Sequence, residues 1–414
     1  MRQKFEKRDV LPASNMLECP NNMKKKKWKK IRLGLIGRII IALVLGALIG
    51  PHAPVEAVRS VNTFNGLFGQ YLGFLIPLLI VGLVAPAIAD IGRKAGKMLL
   101  ITACLAYSAT LISGFASYLT ASTLFPGLIE PATTLQTLGK SAEAPVWFSI
   151  SIPPLMGVMT ALVFSFMLGL GMAYCRNNAL RNVCEAFREI IARTIGKTII
   201  PLLPLYIFGI VLNMSWSGQA ANLLSVFIKI ICIIFLLHIG ILLLQYCIAG
   251  LAARQNPLLL LWRMMPAYFT ALGTQSSAAT IPITLQQTLC NKVHKDVAGF
   301  VIPLCATIHL SGSTLKIVAC AIAIMLMQGN SIDSATMTGF IFMLGIIMVA
   351  APGVPGGAIM AALGILHSML GFGETEQALM IALYITMDNF GTACNVTGDG
   401  ALAIIINKFY RTNS

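Results

Sequence analysis

The chain has 414 residues, of which 57% are hydrophobic and only 11% are charged, and its formal net charge is +15. Soluble domains carry about 25% charged residues, so this composition excludes an ordinary soluble domain. Apolar runs of about 20 residues, the length that an α-helix needs to cross a bilayer, recur along nearly the whole chain. We therefore predict an all-α polytopic membrane protein.

The first 30 residues form a basic segment that ends against the first apolar run. The basic side chains are Arg2, Lys4, Lys7, Arg8, Lys24, Lys25, Lys26, Lys27, Lys29, Lys30 and, just beyond, Arg32. A basic block beside a membrane span favours the cytoplasmic side and can contact anionic lipid, so we attribute the net charge to topology and not to nucleic-acid binding. Because residues 1–30 lack an apolar region, we expect no cleavable signal peptide.

Hydrophobic runs predict eight membrane spans. They lie near residues 31–50, 64–90, 98–125, 146–174, 190–213, 220–250, 297–328 and 376–406. Two further apolar segments, at about 257–291 and 334–371, contain helix breakers. Basic and acidic loops alternate along the chain, and eight spans with both termini cytoplasmic reproduce this alternation if each interrupted segment enters and leaves on one side. We therefore predict two re-entrant helical hairpins; two kinked ordinary spans would break the alternation.

The centres of the two interrupted segments are rich in glycine, proline and small polar residues. The first holds Gly273-Thr-Gln-Ser-Ser-Ala-Ala-Thr-Ile-Pro282, and the second holds Ala350-Ala-Pro-Gly-Val-Pro-Gly-Gly357. Broken backbone at membrane depth is tolerated only where protein or a water-filled cavity satisfies its polar groups. Interrupted helices in matching positions of two halves are typical of a transporter binding site.

The last apolar run carries a polar stripe. At about 100° per residue, one narrow face of this helix holds Asp388, Gly391, Thr392, Asn395 and Asp399. A charged side chain near mid-bilayer costs roughly 2.5–3.5 kcal/mol, so such residues usually mark a site or a pathway. The stripe predicts the wall of a solute-binding cavity; the alternative is a polar face satisfied by neighbouring helices.

Four motifs resemble those of the dicarboxylate/amino acid:cation symporter family, the glutamate-transporter homologues. Gln275-Ser-Ser-Ala-Ala-Thr-Ile-Pro282 and Gly353-Val-Pro-Gly-Gly357 resemble the two hairpin tips of the family. The segment from Pro303 to Ser313 resembles its broken seventh helix, usually P-L-G-A-T-I-N-M-D-G-T. The segment from Asp388 to Asp399 resembles its last helix, D-x-x-R-T-x-x-N-V-x-G-D. The element order agrees over residues 31–409, and the match is specific over 273–400.

The resemblance implies a glutamate-transporter-like elevator fold in the plasma membrane, the inner membrane in bacteria. It implies a homotrimer whose scaffold comprises residues 31–95 and 146–215 and whose mobile transport domain comprises residues 96–125 and 216–409. The function so implied is sodium-coupled import of an amino acid, without enzymatic activity.

The resemblance also implies a substrate site and its roles. The site would comprise Ser276, Ser277, Thr314, Val354, Gly356, Asp388, Gly391, Thr392 and Asn395. Asp388 would bind the substrate ammonium, Asn395 and the first hairpin tip would bind the carboxylate, and Thr392 would lie beside the side-chain pocket.

Gly391 is the main departure from the pattern of relatives that carry acidic substrates. Those relatives have an arginine at this position or just before the tip serines, where this chain has Gln275. A buried carboxylate without a charged partner is strongly unfavourable. We therefore expect a neutral substrate, with Gly391 widening the side-chain pocket. An acidic amino acid or dicarboxylate is the alternative, if another cation such as Arg263 reaches the site.

The coupled ion is expected to be sodium. The resemblance implies a sodium site from the Asp399 carboxylate and the carbonyls of Cys305, His309 and Asn395, with Thr307 in a second site. A third family site lacks its asparagine and aspartate side chains, so we expect fewer sodium ions than the full complement. His309 could carry a proton instead; the alternative is a neutral histidine, hydrogen-bonded in the helix break.

Two other classes compete with a symporter. Thr397-Gly-Asp399 superficially resembles an intramembrane aspartyl protease motif, but Asp388 and Asp399 lie on one helix, about 16 Å apart at 1.5 Å per residue, and cannot form a catalytic pair. A passive channel is the second alternative. No nucleotide-binding P-loop motif occurs in the sequence.

Overall fold

Fifteen α-helices account for most of the residues that this computed structural model describes, namely 35–93, 97–129, 145–175, 178–216, 220–351 and 356–411. No strand occurs in these ranges. The helices are Leu35–Ile49 (α1), Val55–Arg93 (α2), Lys97–Leu124 (α3), Val158–Tyr174 (α4), Ala179–Thr194 (α5), Ile200–Trp216 (α6), Ala220–Ala253 (α7), Pro257–Thr274 (α8), Ser277–Cys290 (α9), Lys295–Ile308 (α10), Ser311–Met327 (α11), Ser334–Ala350 (α12), Gly357–Leu370 (α13), Glu374–Thr386 (α14) and Asp388–Arg411 (α15).

Several of these helical stretches are apolar enough for a membrane. Among the described residues, five are also long enough to cross one: Val55–Pro86, Met98–Gly127, Ala179–Asn213, Val226–Ala253 and Lys295–Met327. Shorter apolar helices lie at Gly37–His52, Val163–Tyr174, Ser334–Ala350 and Gly357–Leu370. The all-helical membrane class predicted from composition is confirmed. The eight-span count stays a prediction, because the structure divides some predicted runs into shorter helices.

The first interrupted segment is a pair of contacting helices, α8 and α9. Asn256 caps α8 by accepting a hydrogen bond from the Leu258 N–H at 2.9 Å. The helix ends at Gln275, whose φ of 54° is left-handed. Ser276 then caps α9 through the Ala279 N–H at 3.3 Å. The turn is thus only two residues long, and Pro282 lies inside α9.

The second interrupted segment is also a pair of contacting helices, α12 and α13. Asp333 caps α12 by accepting from the Thr336 N–H at 2.8 Å. The first helix ends at Ala350, and α13 follows Gly356, whose φ is +74°. Residues 352–355, including the predicted site residue Val354, lie outside the described residues.

Two further helix breaks lie close to the predicted site. The helices α10 and α11 are separated by His309 and Leu310, which have non-helical backbone angles, as the seventh-helix motif predicts. The predicted last run divides into α14 and α15 at Met387. Almost every residue of α11 is buried, which is typical of a helix that is hydrophobic all round.

The helix α15 lies among many neighbours. It packs against α3, α7, α8, α9, α10, α11 and α14. Its apolar side, with Ala393 and Val396, belongs to a buried cluster with side chains of α7, α8 and α10, such as Tyr246, Met264 and Val301. This packing leaves the polar stripe of α15 directed toward the break between α10 and α11.

Candidate functional site

The polar stripe of α15 is buried. Asp388, Thr392, Asn395 and Asp399 are between 1% and 7% exposed. The start of α11 approaches this face closely, since a Cβ added at Gly312 would lie 2.7 Å from the Gly391 carbonyl oxygen. This close approach places the next turn of α11 directly beside Asp388.

Asp388 connects two other elements. Its Oδ1 lies 3.1 Å from Lys316 Nζ of α11, and its Oδ2 accepts a hydrogen bond from the backbone N–H of Gly356 at 2.8 Å. The carboxylate therefore ties the tip of the second hairpin to the broken helix. Both of its oxygens have partners within the protein, so a substrate ammonium must share or displace them.

Lys316 is the charged residue beside the polar stripe that was not predicted from the sequence. Its side chain is fully buried, and its ammonium lies 3.6 Å from the centre of the Tyr384 ring and 3.5 Å from the Met387 carbonyl oxygen. Within the described ranges it is the one lysine or arginine that is buried. A lysine inside an otherwise apolar run is a recognisable signal, because its insertion is costly.

Gly391 has a different role from the one expected. A Cβ at this position would lie 2.5 Å from Lys316 Cε and 2.6 Å from its Nζ. The space beside Gly391 is thus filled by the lysine, and the expectation that it widens a side-chain pocket is wrong. A cation from elsewhere in the chain does face this position, which was the alternative left open, and it is Lys316. That cation is not Arg263, whose Nη1 is buried on α8 without a hydrogen-bond partner.

Asn395 holds the start of α11. Its Oδ1 accepts from the Gly312 N–H at 2.8 Å, and its Nδ2 donates to Ser313 Oγ at 3.1 Å. Tyr384 donates its hydroxyl hydrogen to the same Ser313 oxygen at 2.9 Å. An amide nitrogen has two hydrogens, so one N–H of Asn395 remains for a ligand such as a carboxylate.

The other predicted substrate residues occupy different environments. Thr314 is buried and donates to the Leu310 carbonyl oxygen at 3.1 Å, within its own helix. Thr392 is buried on the stripe. Ser276 is partly buried and Ser277 is buried at the start of α9, a helix that packs on α15. The first hairpin thus contacts the site through the packing of α9 on α15.

The predicted ion site centres on Asp399. Its Oδ1 lies 2.9 Å from His309 Nδ1, and both side chains are almost fully buried. The carbonyl of Cys305 accepts the His309 backbone N–H at 2.9 Å and keeps a second lone pair. Thr307 is exposed and donates to the Leu304 carbonyl oxygen, so the structure sets it apart from this buried cluster.

Two buried side-chain oxygens that were not predicted as ion ligands belong to the segments around Asp399. The side-chain oxygens of Gln245 and Thr397 are buried without hydrogen-bond partners. Gln245 lies beside the turn of α15 that carries Asp399, since its Oε1 would be 2.5 Å from a Cβ at Gly398, and Thr397 belongs to the same turn. Carboxylate, carbonyl and amide oxygens are the donors that hard cations prefer, so these residues fit a sodium ion.

Comparison with known proteins identifies the family. The model of the sodium:dicarboxylate symporter family matches residues 35–409. The chain belongs to the sodium:dicarboxylate symporter family.

Three similar proteins are all named serine/threonine transporter SstT. The serine/threonine transporter SstT of Streptococcus suis (strain 05ZYH33) is 28% identical over 349 residues, which cover 80% of this chain and 94% of that protein. SstT of Bifidobacterium adolescentis is 30% identical over 352 residues, covering 79% and 77%. SstT of Acinetobacter baumannii (strain AYE) is 26% identical over 400 residues, covering 92% and 98%. The family and these relatives are transporters, not enzymes.

The contact of Gly356 with Asp388 is testable in this symporter. Gly356 has a φ of +74°, and Gly371, at the other end of α13, has a φ of +70°. Alanine in the left-handed region costs about 1–2 kcal/mol, so both Gly356→Ala and Gly371→Ala should lower the free energy of unfolding by about that amount. Only Gly356→Ala should raise the KM for substrate, because only Gly356 donates to Asp388. Thermal unfolding and uptake of both variants check this, and equal KM values would contradict it.

Proposed function

We propose that this protein is a sodium-coupled symporter that imports a small neutral amino acid, of the kind for which its serine/threonine transporter relatives are named. The observation that carries the proposal is the buried stripe of Asp388, Thr392 and Asn395, held between the broken helix and the tip of the second hairpin. Asp388 supplies a carboxylate for the substrate ammonium. The free N–H of Asn395 and the N-terminus of α9 supply donors for its carboxylate.

The charge of the site favours a neutral substrate. The two buried carboxylates, Asp388 and Asp399, outnumber the one buried ammonium, Lys316, by one formal negative charge. One sodium ion cancels this charge, and a zwitterionic amino acid adds none. An acidic substrate would bring a further negative charge into a buried site, which is strongly unfavourable without another cation.

Sodium would be held by Asp399 and by backbone carbonyls of Cys305, His309 and Asn395, as in the family pattern. His309 Nδ1 lies 2.9 Å from Asp399 Oδ1, within hydrogen-bond distance of the carboxylate that would bind the ion. Proton coupling through His309 is the second candidate, because its ring contacts a buried carboxylate.

Replacement of His309 tests whether a proton is transported through this residue in addition to sodium. We expect His309→Asn to leave the pH dependence of uptake unchanged between about pH 5 and 8, as the exposed-site control His294→Asn should. Uptake in proteoliposomes at several values of internal and external pH measures this. A profile that becomes flat only in His309→Asn would show that a proton is carried.

The family also supports a proposed architecture. It comprises eight membrane spans and two re-entrant hairpins, with both termini cytoplasmic, in the bacterial inner membrane. Within the described residues, α1 packs on α6, and α2 on α4, α5 and α6, whereas α15 packs on α3 and α7–α11. This grouping supports a scaffold of residues 31–95 and 146–215 and a mobile transport domain of residues 96–125 and 216–409. By the same family pattern we propose a homotrimer and elevator motion.

Competition identifies the substrate class. Uptake of labelled L-serine into proteoliposomes with a sodium gradient is measured with each of the twenty unlabelled amino acids in excess. We expect small neutral amino acids to compete strongly and glutamate and aspartate to compete weakly. Strong preference for an acidic amino acid would contradict the neutral assignment while leaving the transporter class intact.

A further inference from the structure

One charged side chain of the site has no assigned role, namely Lys316. Its contacts within the protein do not use all of its hydrogen-bond donors. An ammonium has three donors, and Lys316 makes one hydrogen bond of ordinary length, to Asp388 at 3.1 Å, and a long one to the Met387 carbonyl oxygen at 3.5 Å. Its remaining neighbour on that side is the face of Tyr384, which attracts a cation without accepting a conventional hydrogen bond.

Stability alone does not account for a lysine at this position. A buried ion pair can often be replaced by apolar residues without loss of stability, because both charges must be removed from water. The residues of α11 that follow Lys316 are apolar and almost all buried, and Ser313 and Thr314, just before it, are buried as well. Intramembrane lysines are usually found where a solute or an ion is bound.

We propose that Lys316 is a substrate-binding residue whose ammonium binds a carboxylate of the transported amino acid. The inference rests on the proposed function, amino acid transport through this site. Asp388 and Lys316 form an ion pair, with 3.1 Å between Oδ1 and Nζ. The substrate separates them, so that its ammonium binds Asp388 and its carboxylate binds Lys316.

Gly391 is the residue that makes this arrangement possible. It lies where family members with acidic substrates carry arginine, and its missing side chain leaves the space that the Lys316 ammonium fills. The positively charged side chain of the site therefore belongs to α11, whereas an arginine at position 391 would belong to α15. Glycine at 391 and lysine at 316 depend on each other, since any side chain at 391 would meet Lys316 at 2.5–2.6 Å.

The carboxylate could be the α-carboxylate of a neutral amino acid or the side-chain carboxylate of an acidic one. Three probes distinguish them: L-serine, L-serinamide, which lacks the carboxylate charge, and L-aspartate. Binding of each to the purified full-length protein in sodium is measured by calorimetry, for the wild type and for Lys316→Met. In the wild type we expect serine to bind at least about thirtyfold more tightly than serinamide. In Lys316→Met we expect this ratio to fall about tenfold, and the remainder comes from Asn395 and the N-terminus of α9.

Lys316→Met leaves the buried Asp388 carboxylate unpaired. A second variant is therefore used that retains both charges. Gly391→Ala introduces a methyl group against the flexible end of Lys316 and should reduce the serine-to-serinamide ratio several-fold. Gly400→Ala is the matched control for crowding on the same helix, where the new methyl group would lie 2.6 Å from Met264 Cε and 2.9 Å from the Tyr246 hydroxyl oxygen. It should keep the wild-type ratio.

The outcomes separate the two proposals. Loss of the serine-to-serinamide ratio in the Lys316 and Gly391 variants assigns the α-carboxylate to Lys316. A wild-type ratio together with weaker aspartate binding in both variants assigns the side-chain carboxylate. A wild-type ratio together with wild-type affinity for aspartate in both variants overturns the role of Lys316 and leaves the proposed function standing. A wild-type protein that binds neither serine nor aspartate in sodium overturns the proposed function itself.

Discussion

Asp388→Asn is expected to abolish amino acid uptake and to destabilise the protein. The change removes the charge that we propose binds the substrate ammonium, and it leaves the fully buried Lys316 without its carboxylate partner. Removing one member of a buried ion pair costs about 3–5 kcal/mol, because the remaining charge stays out of water. Proteoliposome uptake and thermal unfolding in detergent measure the two effects.

A second change separates the loss of stability from the loss of function. In Asp388→Asn combined with Lys316→Met, neither buried charge remains, so the unfolding temperature should return most of the way to that of the wild type while uptake stays absent. Asp296→Asn is the control, since Asp296 is an exposed carboxylate at the start of α10. Uptake that persists in Asp388→Asn would contradict the ammonium role of Asp388.

Asp399→Asn is expected to weaken sodium binding at least about tenfold, which corresponds to 1.4 kcal/mol. Asparagine has nearly the same shape, and its Oδ1 can still accept the hydrogen bond from His309 Nδ1. The fold should therefore be retained, and the loss should come from the missing negative charge on a sodium ligand. Uptake of serine as a function of sodium concentration gives the half-saturating value.

An exposed aspartate provides the matched control for this change. Asp333 caps α12 by accepting the Thr336 N–H at 2.8 Å, and asparagine is an equally good cap. Asp333→Asn should leave both the half-saturating sodium concentration and the fold unchanged. A sodium dependence of Asp399→Asn that equals the wild type would remove Asp399 from the ion site.

The sequence predicted the features that depend on local pattern. The breaks at His309 and within the segment after Thr274 follow from local runs of polar and helix-breaking residues. The α15 stripe follows from helical periodicity alone. Both were predicted correctly, although the first hairpin turn is shorter than expected, because the Ser276 cap begins α9 immediately and Pro282 is accommodated within it.

The sequence analysis failed where the site depends on contact between distant segments. Lys316 and Asp388 are separated by 72 positions, and only the packing of α11 on α15 brings them together. Gly391 was therefore interpreted as an open pocket when it is the space for a lysine from another helix. A lysine inside an apolar run was the signal that could have found it.

The most direct test of the central claim is accumulation of labelled L-serine by the wild-type protein in proteoliposomes. With an inward sodium gradient, we predict that internal serine transiently exceeds the external concentration, and that replacing sodium with potassium or dissipating the gradient abolishes this accumulation. Equilibration to equal concentrations regardless of sodium would contradict the account, because it would describe a passive channel and not a sodium-coupled symporter.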